Sequence, residues 1–181
     1  TLYASIDHVI RERQLDFLPG SVEFADFDPS ATLIAVTVAD ELPRLPRDMV
    51  EKTCDKYLQG FRQRASGAVP WANYSAYEIR ISGALMRLGR RTDAHELLAF
   101  FLADRRIPPW NQWPEISWRD PRSPSFIGDM PHSWIGAEYI LAARSLFSYE
   151  RDEDQSLVIA AGVAEHWLDG GEVVVRVRDH G

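Results

Sequence analysis

The sequence predicts a mainly α-helical fold with short β-strands at its C-terminal end. Apolar residues recur at helical spacing over most of residues 29–102, a second long apolar stripe follows Asp129, and the last residues form short β-branched runs. A chain of 181 residues falls in the size range of one domain with a sizeable core. We expect a helical domain over residues 1–155 and a short β tail over residues 156–181.

An antiparallel helical hairpin is the clearest element of the sequence. In its first helix the apolar residues fall at i, i+4, i+7, i+8 and i+11, on one face: Tyr77, Ile81, Ala84, Leu85 and Leu88. Gly89 is predicted to end this helix, and Asp93 with Glu96 has the spacing of a capping box for the next one. The second helix would bury a stripe of its own: Ala94, Leu97, Leu98 and Phe101.

Three segments before the hairpin are also predicted to be helical. A shorter helix is expected in "SIDHVIRERQ", and "RDMVEKTCDKYLQGFRQR" carries an apolar stripe that includes Val50, Cys54 and Phe61. Asp28 followed by Pro29 is a good cap and first residue, which favours a helix although the β-branched residues after it alternate as in a strand. Cys54 is expected to be a small core residue.

A long helix is predicted to begin after Asp129, with the Asp129 side chain as its cap. Two neighbouring apolar stripes run along it: Trp134, Ala137 and Leu141, then Ile135, Tyr139, Ala142 and Leu146. An apolar face of this width predicts a mostly buried helix. Beyond it, "SLVIAAG" and "EVVVRVRD" are β-branched, are separated by the turn-like "LDGGE", and predict two strands.

Composition excludes several classes of partner. The net charge is −7 and the arginines are scattered singly, so we expect no nucleic-acid binding. The longest apolar run, "ATLIAVTVA", is too short for the about 20 residues of a membrane span, so we expect no transmembrane helix. The histidines show no HxxxH or HxH spacing, so we expect no metal ion and no other cofactor.

Residues 105–134, "RRIPPWNQWPEISWRDPRSPSFIGDMPHSW", form a segment that we call the tryptophan loop. It contains four of the six tryptophans and six of the eleven prolines. The prolines predict that neither helix nor strand runs between residues 107 and 128, whereas the aromatics argue against disorder. Long loops of this kind are usually functional. We expect an ordered loop with Trp110, Trp113 and Trp118 along one concave surface.

The tryptophan loop combines flat apolar rings with polar groups, as a carbohydrate-binding cleft requires. The candidate sugar-binding residues are Trp110, Asn111, Trp113, Trp118 and Trp134. Glu115, between two tryptophans, is the first candidate for a catalytic acid or base, with a solvated glutamate as the alternative. Asp129 is a candidate second carboxylate as well as a helix cap, and His132 is a candidate to orient a carboxylate or hydroxyl from the first turn of the helix.

The order of these motifs resembles the C-terminal half of six-hairpin (α/α)6 toroid glycosidases. The motifs are "ADFDPSAT", the helical hairpin, "WNQWPEISW", "GDMPHSWIGAEY" and "LVIAAGVAEHWLDGGEVVVRV". The resemblance is to the α-L-rhamnosidase-like group and its uncharacterised bacterial relatives, and it covers most of the chain. It differs at Pro114, which separates Trp113 from Glu115, and at Ala164, where the family usually has proline.

The resemblance implies a glycoside hydrolase-like function. Glu115 would be the catalytic carboxylate of the tryptophan loop, His132 the cleft histidine, and Trp167 part of the joint to a β-sandwich. The family's other acid lies upstream of the matched region, and a toroid has twelve helices where about six are predicted here. The chain also begins without methionine, so we expect part of a longer protein, inactive alone. It would bind carbohydrate and either the rest of the toroid or a second copy through exposed helical flanks.

Two other functions fit the same sequence. The hairpin resembles one tetratricopeptide-type repeat, which would make the chain a protein-binding module, although no second copy occurs at a 34-residue offset. A toroid that binds carbohydrate without hydrolysing it is the other alternative. Binding of oligosaccharides separates the glycosidase-like functions from the repeat module, and turnover by the full-length protein separates a glycosidase from a non-catalytic toroid.

Overall fold

The computed structural model describes residues 1–105, 108–170 and Val174. In this part of the chain the α-helices are α1 (Leu2–Arg13), α2 (Pro29–Thr32), α3 (Ile34–Thr37), α4 (Arg47–Ala65), α5 (Arg80–Arg87), α6 (Arg91–Ala103) and α7 (Ser133–Phe147). The strands are β1 (Asn73–Ser75), β2 (Ile116–Trp118), β3 (Ser148–Arg151) and β4 (Ser156–Ile159). Single 3-10 turns occupy Leu42–Arg44, Ala76–Ile79, Pro108–Trp110 and Glu165–Trp167. The fold is mainly α-helical, as predicted, and none of the described helices is long and apolar enough to cross a membrane.

The helical hairpin is confirmed as α5 and α6, and α5 packs against both α6 and α7. Gly89 has a φ of 77° and ends α5, because its N–H binds the Met86 carbonyl while the N–H of Arg90 binds Leu85. This pair of bonds is the Schellman motif, which glycine adopts without steric cost. The predicted apolar stripe of α6 is buried.

The predicted capping box of α6 does not form. The helix begins at Arg91 without any side-chain cap, and the carboxylates of Asp93 and Glu96 point to arginines instead. Asp93 pairs with Arg62 of α4 at 2.7 Å and with Arg90 at 2.8 Å, and Glu96 pairs with Arg62 at 2.6 Å. An ion-pair network between helices has thus replaced the local cap.

The other early helices follow the sequence prediction. Helix α4 buries the predicted stripe, and burial raises the pKa of the Cys54 thiol to about 12, as suits a core residue. Asp28 caps α2, since its side chain accepts a hydrogen bond from the N–H of Ala31. The segment after Asp28 is helical in two short pieces, α2 and α3, and not extended.

Helix α7 departs from its prediction at both ends and on one face. It begins at Ser133 rather than directly after Asp129, and the Asp129 side chain does not cap it. It ends at Phe147, where the chain continues as β3. Only the second predicted stripe is buried; Trp134 and Leu141 of the first stripe are exposed, and Ile140 beside them is 69% exposed. The prediction of a mostly buried helix is therefore wrong for half of α7.

The start of the predicted β tail packs on the helical body. Strands β3 and β4 pair antiparallel, so the predicted boundary at residue 155 falls in the turn between two strands of one hairpin. Gly162 lies so close to α5 and α7 that an added Cβ would meet Leu146 Cα at 2.6 Å and Met86 Sδ at 2.7 Å. Trp167 stacks on Phe147 of α7. The second predicted strand, "EVVVRVRD", lies outside the described residues except for Val174.

A strand forms inside the tryptophan loop, where none was predicted. Strand β2 pairs antiparallel with β1, which precedes the helical hairpin. Prolines 114 and 121 lie outside its three residues, so each residue of β2 keeps its N–H. The exclusion of strands was therefore too broad: prolines exclude a strand only where they remove an N–H that the partner strand needs.

Candidate functional site

Three predicted catalytic residues meet at one end of the tryptophan loop. Glu115 precedes β2, while Asp129 and His132 lie just before α7. One ligand-type atom from each, either a carboxylate oxygen or a ring nitrogen, can be chosen so that all three lie within 4.8 Å of one another. Glu115 is distant in the sequence from Asp129 and His132, and the fold brings the three residues together.

Backbone hydrogen bonds fix Glu115 from both sides. Its carbonyl accepts a bond of 2.9 Å from the N–H of Ala76, which extends the β1–β2 pairing by one step. Its own N–H donates to Asp129 Oδ1 at 3.0 Å. The position of the Glu115 backbone therefore depends on the hairpin side of the fold and on the start of α7 at once.

Gly128 closes the loop so that Asp129 reaches Glu115. Its φ is 62°, and a Cβ at this position would lie 2.6 Å from the Cβ of Pro114. Because real Cβ atoms do not approach this closely, only glycine allows the two ends of residues 114–128 to touch without a shift. Pro114, which separates Trp113 from Glu115, is thus a buried contact point of the closed loop.

Asp129 is a hydrogen-bonded anchor and not a helix cap. Its Oδ1 accepts the N–H of Glu115, and its Oδ2 lies 2.6 Å from His132 Nδ1. Desolvation raises the pKa of Asp129, but hydrogen bonds from the backbone N–H groups of Glu115 and of Asp129 itself, together with His132, outweigh it and leave the pKa below its usual value. Asp129 is therefore ionised at neutral pH and uses both oxygens to hold its neighbours.

His132 presents its second ring nitrogen to the interior. With Nδ1 bound to Asp129, the Nε2 atom is buried and has no hydrogen-bond partner among the described residues. A histidine whose Nδ1 is held by a carboxylate has a fixed ring orientation, as in acid–base sites where the carboxylate orients the imidazole. Nδ1 of His132 contacts the Asp129 carboxylate, whereas the predicted contact of His132 to a hydroxyl stays a prediction.

The tryptophans divide into surface and core positions. Trp110 is 58% exposed and Trp134 is 71% exposed, while Trp118 in β2 is half-buried. The ring of Trp134 lies edge-on to His132, with centroids 6.3 Å apart. Asn111, next to Trp110, is exposed and accepts a hydrogen bond of 2.8 Å from Arg105 through Oδ1. These four side chains remain accessible.

Trp113 belongs to the core, which corrects the expectation that it lines a surface with Trp110 and Trp118. It is 6% exposed, and its ring stacks on Tyr139 of α7 with centroids 3.4 Å apart. Its indole N–H donates to the Phe101 carbonyl at the end of α6 at 3.0 Å. Trp113 therefore fastens the loop to α6 and α7, and the burial of an aromatic side chain with a paired N–H explains its position.

The polar side chains of the hairpin that act on Glu115 were not predicted from the sequence. Burial raises the pKa of Tyr77, and the negative charge of Glu115 raises it further. The guanidinium of Arg80 lies 4.2 Å over the Tyr77 ring and donates to Glu138 of α7 at 2.7 Å. Tyr77 was assigned only to an apolar stripe. Its position at the start of that stripe, directly after β1, is the one signal of a different role.

Two other carboxylates have structural partners. Glu78 accepts a hydrogen bond of 2.6 Å from the Tyr57 hydroxyl and pairs with Arg64 at 2.8 Å. Asp120 pairs with Arg122 in its own turn, away from Glu115. Both carboxylates are occupied by neighbours, which leaves Glu115 as the carboxylate of the loop that accepts no hydrogen bond from the described residues.

The same group could also hold a divalent cation, since it offers two carboxylates and an imidazole. Histidine spacing gave no sign of this, because the three residues come from two sides of a loop. The separation of 2.6 Å between Asp129 Oδ2 and His132 Nδ1 is that of a hydrogen bond, and a shared cation would have to replace it. The arrangement as it stands therefore favours proton transfer over metal binding.

In comparisons with known proteins, no family model, no curated protein and no solved structure matches the chain.

Proposed function

We propose that the chain is the C-terminal part of a six-hairpin (α/α)6 glycoside hydrolase-like protein, in which Glu115 is the acid–base carboxylate. The observation that carries this proposal is the meeting of Glu115, Asp129 and His132 within 4.8 Å. The hairpin α5–α6 and helix α7, whose exposed face lacks a cover among the described residues, are compatible with part of such a ring.

The hydrogen bonds suggest a division of roles within the cluster. Asp129 is a positioning residue, because both of its oxygens are bound to Glu115 N and His132 Nδ1. The Glu115 carboxylate can then exchange a proton with a glycosidic oxygen or an attacking water, while His132 holds Asp129 through Nδ1. Glycoside cleavage ordinarily needs a second carboxylate across the bond, which the resemblance assigns to the part of the protein upstream of this chain.

Carbohydrate would bind along the accessible aromatic side chains. Trp110, Trp118 and Trp134 offer flat apolar surfaces on which pyranose rings stack, and Asn111 offers an amide for hydroxyls. Trp113 contributes indirectly, by fixing the loop to α6 and α7. The sugar-binding surface is therefore narrower than the composition of the loop suggested.

Binding of oligosaccharides to the chain tests this proposal. We expect weak binding, visible as a change in tryptophan fluorescence, and loss of binding in Trp134→Ala but not in Leu168→Ala, a matched removal of an exposed apolar side chain outside the loop. Release of a glycoside by the full-length protein, and none by these 181 residues, would support the division of the catalytic pair. Absence of both binding and full-length activity would overturn the proposal and leave the repeat-module alternative.

The exposed face of α7 also makes a prediction about association. Ile140 and Leu141 expose apolar surface that the rest of a toroid would cover. In the isolated chain we expect self-association through this face, measured by sedimentation, and a shift to monomer in Ile140→Lys. A chain that is monomeric at high concentration would contradict this. The control Lys56→Ala, in α4, is expected to change nothing.

A further inference from the structure

A cavity lies between α3, α5, α7 and β3, and it shares Arg80 and Glu138 with the surroundings of the Glu115 cluster. Its volume is about 230 Å³, which suits a small ligand. Three arginines line it: Arg80 and Arg87 of α5, two helical turns apart, and Arg144 of α7. Gly83 lies between the first two and also lines the cavity, where an added Cβ would lie 3.2 Å from Thr37 Cγ2.

The charges that line the cavity do not cancel. Glu138 pairs with Arg80 at 2.7 Å, and Glu150 pairs with Arg144. Arg87 has no ion pair with any described residue, although the carboxylates of Asp40 and Glu150 act on it from a distance. The cavity lining holds three arginines and two glutamates and therefore carries a net positive charge. A guanidinium does not lose its proton under ordinary conditions, so this charge persists.

The Arg87 side chain is held in place, but two of its nitrogen atoms lack hydrogen-bond acceptors. Its guanidinium lies 4.4 Å over the ring of Tyr149, which is buried in β3. Its Nε and Nη1 atoms are buried and have no hydrogen-bond partner among the described residues, and the same is true of Arg80 Nε. Buried donors without acceptors are costly and therefore call for a partner.

We propose that this cavity binds a small oxyanion, a carboxylate or a phosphate, through Arg87 with support from Arg80. Such a ligand supplies the negative charge that the net positive lining lacks, next to an arginine that has no ion pair among the described residues. A volume of about 230 Å³ has room for the anionic group and little more than one small ring or acyl chain. Burial lowers the pKa of Arg87, which is the cost that a bound anion would offset. The proposal is independent of the glycosidase-like function.

Titration of the whole chain at constant ionic strength tests the proposal. The probes are inorganic phosphate, glucuronate and neutral glucose, followed by calorimetry. We expect heat from at least one of the two anions, none from glucose, and affinity about tenfold or more weaker in Arg87→Met. The matched control Arg13→Met removes an exposed arginine at the end of α1 and is expected to bind as the unmodified chain does.

The choice between the anions identifies the source of the ligand. Binding of glucuronate alone indicates a sugar acid, and binding of phosphate alone indicates a free or attached phosphate. If Arg87→Met does not fold, protection of Arg87 from phenylglyoxal by the anion, read by peptide mass spectrometry on the unmodified chain, decides the question. The proposal is overturned if neither anion binds, if glucose binds equally, if Arg87→Met keeps full affinity, or if the anion leaves Arg87 unprotected.

Discussion

The hairpin α5–α6 and the tryptophan loop are specified by different features of the sequence. In the hairpin, residues three, four and seven positions apart share a face, and one glycine with a φ of 77° ends the first helix. In the loop, the decisive contacts join Glu115 to Asp129 and Trp113 to Phe101, residues that no periodic pattern relates. The hairpin is encoded locally, whereas the site is encoded by contacts across the fold.

This difference explains why the loop can carry polar chemistry. A helix satisfies its own backbone groups, but an irregular segment must find a partner for each buried N–H and carbonyl. The loop does so with β1 and with the Asp129 carboxylate, and the Trp113 side chain of the loop donates to the Phe101 carbonyl of α6. Each of these bonds also fixes a side chain of the candidate site, so closure of the loop and assembly of the site are one event.

The largest effect is expected from a cavity in the helical core. Phe61 of α4 is 1% exposed and contacts the rings of Phe100, Phe101 and Trp71. Phe61→Ala should lower the free energy of unfolding by about 3–5 kcal/mol, because it removes apolar contact and leaves a cavity. Urea denaturation measures it, with Phe24→Ala, 79% exposed, as the control that should change little. A loss below about 1 kcal/mol would show that Phe61 contributes little to the helical core against which the loop packs.

The second-largest effect is expected at the candidate site. It should lower turnover and leave the helical core folded. In the full-length protein, Glu115→Gln should lower turnover at least about 100-fold, as is typical of a lost acid or base. The control is Asp120→Asn in the same loop, whose carboxylate pairs with Arg122 and is expected to keep activity. Unchanged turnover in a folded Glu115→Gln variant would reduce Glu115 to a solvated loop residue.

Sequence patterns predicted the helices and the identity of the clustered residues, but not their geometry. The stripes of α4, α5 and α6 follow from helical periodicity, and Glu115, Asp129 and His132 were selected by residue type and neighbours. The pairing of β1 with β2 could not be predicted, because three-residue strands have no detectable period. The role of Asp129 could not be predicted either, because an aspartate before a helix has the same sequence pattern whether it caps the helix or contacts Glu115.

The missed capping box and the half-exposed α7 have related causes. Asp93 and Glu96 are bound by Arg62 of α4, a partner that only the packed fold supplies. The two stripes of α7 look alike in sequence, and which of them is covered depends on where the other elements lie. Local propensity therefore fails where a distant partner competes for the same side chain or surface.

A smaller effect is expected from closure of the loop at Gly128. Gly128→Ala forces an alanine to a φ of 62° and brings its Cβ against Pro114. We expect a loss of about 1–3 kcal/mol in unfolding free energy and a weaker Glu115–Asp129 contact. Gly60→Ala in α4, where a Cβ meets nothing within 4 Å, should instead stabilise by about 0.5–1 kcal/mol. Equal effects of the two variants would show that closure at Gly128 does not constrain the site.

The smallest effect is a pH dependence that separates the two regions. The folded-state pKa of Asp129 lies below its unfolded value, so its stabilising contribution is present above that unfolded value, near 3.8, and is lost as pH falls through the folded pKa. The pKa of Asp93 in the hairpin is also lowered. Desolvation alone would raise this pKa, but the hydrogen bonds from Arg62 and Arg90 outweigh desolvation. Asp129→Asn and Asp93→Asn should each therefore flatten the acid limb of stability measured by urea denaturation between pH 5 and 2.

Salt should then distinguish the two aspartates. Hydrogen bonds from backbone N–H groups are the largest of the contributions that lower the pKa of Asp129, whereas two arginine side chains lower that of Asp93. Screening at 1 M salt acts on separated charges more than on short hydrogen bonds to neutral groups. The effect of Asp93→Asn should therefore shrink in salt, while that of Asp129→Asn persists. A salt response that is equal at both positions would mean that the charge of His132, and not the backbone of the closed loop, holds Asp129 ionised.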